Sequence, residues 1–172
     1  MLSFESILDK VLKMEGGLKL HKNPTEKYET YAGIYRKAHP EWEGWKYIDK
    51  GLEPPFELVK DFYYENYWKP FEKIKDEKIK AILFETAINI GVRQTVKLAQ
   101  KVLGVKADGI LGPKTLGALN SAEPEDFIRD FTLGRIAFYT ALTNKNPKKY
   151  GPYLRGWINR SLEAMGWVSS VG

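Results

Sequence analysis

The first fifteen residues constrain the fold most. Phe4, Ile7, Leu8 and Val11 recur at the spacing of one helix face, and Glu15 takes the next inward position, with Gly16 and Gly17 directly after it. Such a stripe is stable only when buried, so the chain begins with a helix that demands a core. The carboxylate is its unusual member. Apolar surroundings raise a carboxyl pKa, and a carboxylic acid that keeps its proton near neutral pH is what a general acid needs. The two glycines permit a left-handed turn that stops the helix and allow close approach of a substrate to the backbone. A plainer reading leaves Glu15 as the frayed, solvated last residue of the helix.

Helical periodicity, punctuated by glycine and proline, continues through most of the chain. Residues 18–35 are polar, contain Pro24 and carry Tyr28, Glu29, Thr30 and Tyr31, a pattern for a loop with a short hairpin. Pro54 and Pro55 open a helix holding Leu58, Phe62 and Tyr63 that should end before Pro70. Residues 75–102 form a long apolar pattern that Gly91 divides into two helices. Pro113 starts a helix running to about Asn120, and residues 124–142 and 153–165 supply two more. The expected architecture is mainly α with a small β-hairpin in the N-terminal third. Residues 1–74 form a lobe carrying Glu15, and residues 75–172 form a helical lobe of the same integrated domain.

Composition removes several chemistries. With 172 residues the chain is long enough for a sizeable core. It has no cysteine, hence no disulfide, thiol nucleophile or thiolate metal site. Two histidines without a HExxH pattern give poor support for a zinc hydrolase, and the sequence contains neither a GxxxxGK[ST] nor a GxGxxG loop for phosphate. Carboxylate chemistry is what remains. No apolar run approaches the roughly 18 residues of a membrane helix. The net charge of +5 favours an anionic partner, and a cell wall, a nucleic acid and a membrane surface all qualify.

Several motifs stand in a fixed order: Met14-Glu15-Gly16-Gly17, Glu29-Thr30 followed by Gly33-Ile34, Tyr67-Trp68, Phe84-Glu85 with Asn89-Ile90-Gly91, the loop 108–115 reading DGILGPKT, and Gly156-Trp157-Ile158-Asn159-Arg160. On these marks the chain resembles glycoside hydrolase family 108, the phage and bacterial N-acetylmuramidases with a predicted peptidoglycan-binding C-terminal part. The loop is also similar to the DGxxGxxT segment of peptidoglycan-binding helical modules, although by itself it is only a turn feeding a helix. The resemblance implies a lysozyme-like helical fold and hydrolysis of the bond between N-acetylmuramic acid and N-acetylglucosamine, with Glu15 as the catalytic acid.

Cleaving that bond needs a proton for a poor leaving group and a second group that places water or stabilises the cationic sugar. Thr30, 15 residues after Glu15, matches the family's threonine, a hydroxyl that orients water. The family's intervening aspartate falls here on Pro24, and Glu26 is the substitute carboxylate nearby. Tyr31, Tyr35, Trp42 and Trp45 are expected platforms for sugar rings, since aromatic faces pack on pyranose C–H groups. Glu85 matches an acidic family position; it is expected to line the cleft opposite Glu15, with a buried structural hydrogen-bond network as its other reading. Asn89 is expected to hydrogen-bond an acetamido group or to cap its helix.

The expected partner is the peptidoglycan glycan strand, met by a monomer without cofactor or metal, without nucleic acid and without stable membrane insertion. The chain starts with no signal-peptide pattern, so it is expected to be made in the cytoplasm and to act on the cell wall or periplasm after release or export. Two other functions stay open. A lytic transglycosylase uses one acidic glutamate and closes an anhydro ring, and a non-catalytic peptidoglycan-binding protein would use the DGILGPKT loop alone.

Overall fold

A computed structural model of the chain describes residues 2–170. It is mainly α-helical with one small antiparallel sheet, and it divides into two compact units. One comprises Ser3–Lys69; the other comprises residues 70–170 together with Leu2. The break lies between Lys69 and Pro70, whereas the sequence pattern places it after residue 74.

The smaller unit opens with α1 (Phe4–Met14), capped by the Ser3 hydroxyl, which accepts from the Ser6 amide at 3.1 Å. Its stripe of Phe4, Ile7, Leu8 and Val11 is buried, joined by Leu12. Three two-residue strands follow, β1 (Leu20–His21), β2 (Thr30–Tyr31) and β3 (Ile34–Tyr35), in the order β1-β2-β3. The expected hairpin is thus β2–β3, and β1 adds a third strand to it. Tyr31 pairs with Ile34, which leaves Ala32 and Gly33 as a two-residue turn with φ of +50° and +80°. Both signs are those of a type I′ turn, the connection that matches strand twist. The short helix α2 (Trp45–Ile48) and α3 (Phe56–Tyr63) complete the core, and α3 widens into a π-helical turn over Tyr64–Trp68.

The larger unit is built on α4 (Glu77–Ile90), whose first turn is capped by Asp76. Residues on all its sides are buried because it packs against α5 (Val92–Leu103), α7 (Pro124–Lys145) and α8 (Pro147–Ser170). Gly91, at φ +87°, separates α4 from α5 as its place in the sequence suggests. α6 (Pro113–Ser121) begins at the proline that marked it.

The last helix starts earlier than expected. Gly151 and Pro152 suggested a start at Tyr153, but α8 begins at Pro147, and Asn146 caps it by accepting from the Lys149 amide at 3.2 Å. Pro152 falls in the second turn, where it removes one backbone bond. The long contact with α7 offsets that loss.

Candidate active site

The end of α1 is closed by two reciprocal backbone bonds: Gly17 N–H to Leu12 O at 2.7 Å and Gly16 N–H to Lys13 O at 3.3 Å. With both glycines at positive φ, this is a Schellman closure, and Glu15 is the residue it locks. Glu15 is therefore not frayed. Its own amide still donates to Val11 O at 2.9 Å, and its side chain stands half-exposed at the end of the buried stripe.

The β2–β3 turn lies directly against this side chain. A Cβ placed on Gly33 would sit 3.1 Å from Glu15 Cγ, 3.2 Å from Glu15 Cβ and 2.6 Å from Tyr63 Oη. Only a glycine fits there. The Tyr63 hydroxyl donates to Ala32 O at 2.6 Å and pins the turn from the α3 side. One turn further on, the ring of Tyr67 lies 6.1 Å from that of Tyr63. Burial, and behind it the negative charge of Glu15, push the Tyr67 hydroxyl above its ordinary value, which keeps it a neutral hydrogen-bond donor. The π-helical turn that carries Tyr67 is a feature often found at functional sites. Gly33 and Tyr67 are legible in the sequence only as members of motifs, and Tyr63 only as an apolar position of its helix.

Strand register places the remaining polar candidates. Thr30 is half-buried on β2, paired with His21 on one side and Tyr35 on the other. Directly paired residues share a sheet face, so His21, Thr30 and Tyr35 form one row, opposite the row of Leu20, Tyr31 and Ile34. By sequence His21 is only a poor metal ligand; the register makes it the cross-strand neighbour of Thr30. Glu26 is half-exposed in the β1–β2 loop, where its amide closes a turn on Asn23 O at 2.9 Å.

Three of the four expected sugar platforms are core residues. Tyr31 is 5% exposed and stacks on Trp42, with centroids 6.0 Å apart. Trp42 meets Trp45 edge-on at 5.2 Å and donates its indole N–H to Leu58 O. Trp45 is 3% exposed, donates to His39 O and carries the Arg36 guanidinium over its ring. Rings used in this way have no face left for a pyranose. Tyr35 differs from them in being half-exposed, in the row with Thr30.

Glu85 and Asn89 belong to the larger unit. Glu85 is 0% exposed, so a substrate-lining role is corrected to a structural one. Arg135 donates to both of its carboxylate oxygens through Nη1 and Nη2, and Arg160 Nε adds a bond of 2.8 Å. Arg135, itself 1% exposed, also reaches Thr86 Oγ1 and the Tyr139 hydroxyl. Asn89 is half-buried in the last turn of α4.

The DGILGPKT loop is organised by a residue outside it. The Gln100 amide, buried on α5, donates to Asp108 Oδ1, Ile110 O and Thr115 Oγ1, and its carbonyl accepts from the Gly109 amide, all between 2.9 and 3.0 Å. The Asp and Thr of the motif are thus both bonded to one side chain. The same loop lines a cavity of about 330 Å³, whose wall includes Lys106, Asp108, Ile110, Lys114 and Thr115. Among the described residues no group of three or more His, Asp or Glu gathers to hold a metal ion, and no helix is long and apolar enough to cross a membrane.

Comparison with known proteins matches both halves of the chain. Residues 8–91 match the family Glycosyl hydrolase 108, and residues 94–162 match the family described as Predicted Peptidoglycan domain. Among solved structures the chain is similar to SagA of Brucella abortus, at 25% sequence identity and a TM-score of 0.78, over 97% of this chain and 94% of that one. Among curated proteins none matches.

Proposed function

Since the chain belongs to the glycosyl hydrolase 108 family, we propose that it cleaves the bond between N-acetylmuramic acid and N-acetylglucosamine, with Glu15 as the general acid. It is a glycoside hydrolase whose substrate is peptidoglycan. The observation that supports Glu15 as the acid is the lock on its side chain: a Schellman closure beneath it, Gly33 against its stem and neutral Tyr67 beside it, all within the matched segment.

In this reading the Glu15 carboxyl gives its proton to the glycosidic oxygen as the bond to the anomeric carbon breaks. Water then adds to that carbon, and the proton it releases returns the site to its starting charge. Thr30 orients the water through its hydroxyl, and Tyr35 in the same row offers a ring to the sugar. Glu26 serves as the second carboxylate, standing in for the residue replaced by Pro24. The enzyme meets its substrate at the cell wall after release or export.

The test is a wall-lysis assay on the wild type and Glu15→Gln, with mass spectrometry of the soluble products. Lost lysis and reducing muramic ends in the wild-type digest are expected. Undiminished lysis by Glu15→Gln would remove Glu15 from the mechanism. Anhydro-muramic ends would convert the reading to a lytic transglycosylase, which Pro24 in the place of an aspartate makes the chemically nearest alternative.

A further inference from the structure

In the Gly156–Arg160 motif the arginine has one duty, the bond from Arg160 to Glu85. Its tryptophan has another. Trp157 stacks on Tyr139 of α7 at 4.9 Å and 23°, and Tyr153, one turn earlier on α8, stacks on Trp157 at 5.8 Å and 24°. Tyr150 leans on the same indole at 6.0 Å. Tyr139 is buried, with the Arg135 guanidinium both over its ring and bonded to its hydroxyl. A continuous stack therefore runs from the Glu85–Arg135 pair to Tyr153, which is 59% exposed. An exposed ring held in this way is pre-organised for contact, since little freedom remains to be lost on binding.

The charge around it has one sign. From residue 131 to 162 the chain contains no Asp or Glu, whereas Arg135, Lys145, Lys148, Lys149, Arg155 and Arg160 are all basic. Glu85 engages Arg135 and Arg160. Lys145, Lys148, Lys149 and Arg155 are exposed and form no ion pair among the described residues; Lys149 lies over the Tyr150 ring at 5.0 Å. Lys148 and Lys149 occupy the first turn of α8, where the helix dipole disfavours cations. Folding alone gives no reason for them there.

We propose that this aromatic and basic face of α8 is the wall-binding surface of the larger unit, taking an N-acetylated glycan strand that bears carboxylates. The pyranose C–H face packs on Tyr153, and Lys149, one helical turn before it on the same face of α8, meets the carboxylates of the peptide stems. The patch lies inside residues 94–162, and it is separate from the DGILGPKT loop, whose motif side chains are tied to Gln100. The inference rests on peptidoglycan being the substrate.

The test is co-sedimentation of the full chain, at low temperature, with purified sacculi freed of secondary polymers, using Tyr153→Ala, Tyr153→Phe and the double variant Lys148→Glu/Lys149→Glu. Thermal melting checks that each is folded. Tyr153→Ala is expected to weaken binding about tenfold, Tyr153→Phe to keep it, and the charge reversal to weaken it and flatten its salt dependence. If Tyr153→Ala and the double variant both bind as the parent does while the parent lyses sacculi, the surface is elsewhere and the muramidase reading stands. A parent that neither binds nor lyses sacculi sinks both. A parent that binds duplex DNA more tightly than sacculi, and loses the DNA on charge reversal, makes this a nucleic-acid face and overturns the proposal.

Discussion

Glu15 and Glu85 carry the same mark in the sequence, a carboxylate set into an apolar helical pattern, and the two units of the protein use it in opposite ways. Glu15 ends its helix, keeps part of its side chain in solvent and is touched by a glycine turn and shadowed by two tyrosines. Glu85 sits in mid-helix, entirely buried, with guanidinium donors on both oxygens. An apolar stripe predicts that a carboxylate points inward; it does not predict which charge meets it there. Arg135 and Arg160 lie 50 and 75 residues further along the chain. Position on the helix separates the two as well: Glu15 stands at the open end of α1, whereas Glu85 sits where α5, α7 and α8 pack around α4.

Two isosteric substitutions should break the pair apart. Glu15→Gln is expected to lower the rate of wall lysis by about 10²–10⁴-fold, the usual worth of a positioned general acid, with an unchanged melting temperature. Glu85→Gln should do the reverse. It leaves the Arg135 guanidinium buried without its counter-charge, a loss of about 3–5 kcal/mol in stability, read from urea unfolding. Activity per folded molecule should stay near that of the wild type. If Glu85→Gln removed lysis while the protein remained fully folded, the structural assignment of Glu85 would fail.

The contrast also marks what the sequence can disclose. The helix of residues 4–14, its stop at Gly16 and Gly17 and the division at Gly91 were legible because each is encoded within one or two turns of chain. The third strand and the early start of α8 were less so, since two-residue strands carry no measurable period and Pro152 looks like a boundary until packing on α7 overrides it. Tyr31, Trp42 and Trp45 looked like sugar platforms, but an aromatic in a loop has the same appearance whether its face is free or stacked. The DGILGPKT loop teaches the same point, because its Asp and Thr serve Gln100.

A finer test bears on how Glu15 is held. Gly33→Ala puts a methyl group 2.6 Å from the Tyr63 hydroxyl and 3.1 Å from Glu15 Cγ, at a φ of +80° that an L side chain rarely adopts. The strain is expected to cost about 1–3 kcal/mol in stability. Because the clash moves the acid itself, the rate should fall further than the folded fraction, whereas Glu85→Gln should lower both together. A Gly33→Ala enzyme whose lysis follows its folded fraction alone would show that the turn supports the fold without positioning Glu15.

The smallest effect belongs to the loop of the larger unit. Asp108 accepts from the Ile110 amide at 2.9 Å and from the Gln100 side chain, and these bonds, the backbone one first, hold its carboxyl below the ordinary value of 3.8. A carboxyl lowered in the folded state contributes stability that is present above the unfolded value and lost as the pH falls through the folded one. Urea midpoints at pH 7 and pH 3 should therefore lie closer together in Asp108→Asn than in the wild type, with only a slight decrease at pH 7. Sacculus binding at neutral pH should survive, since the substituted side-chain amide keeps an acceptor oxygen for Gln100 and α8 is untouched. Were binding to disappear while the two midpoints behaved as in the wild type, Asp108 would be a ligand group, and the loop would resemble Glu15 in its use more than Glu85.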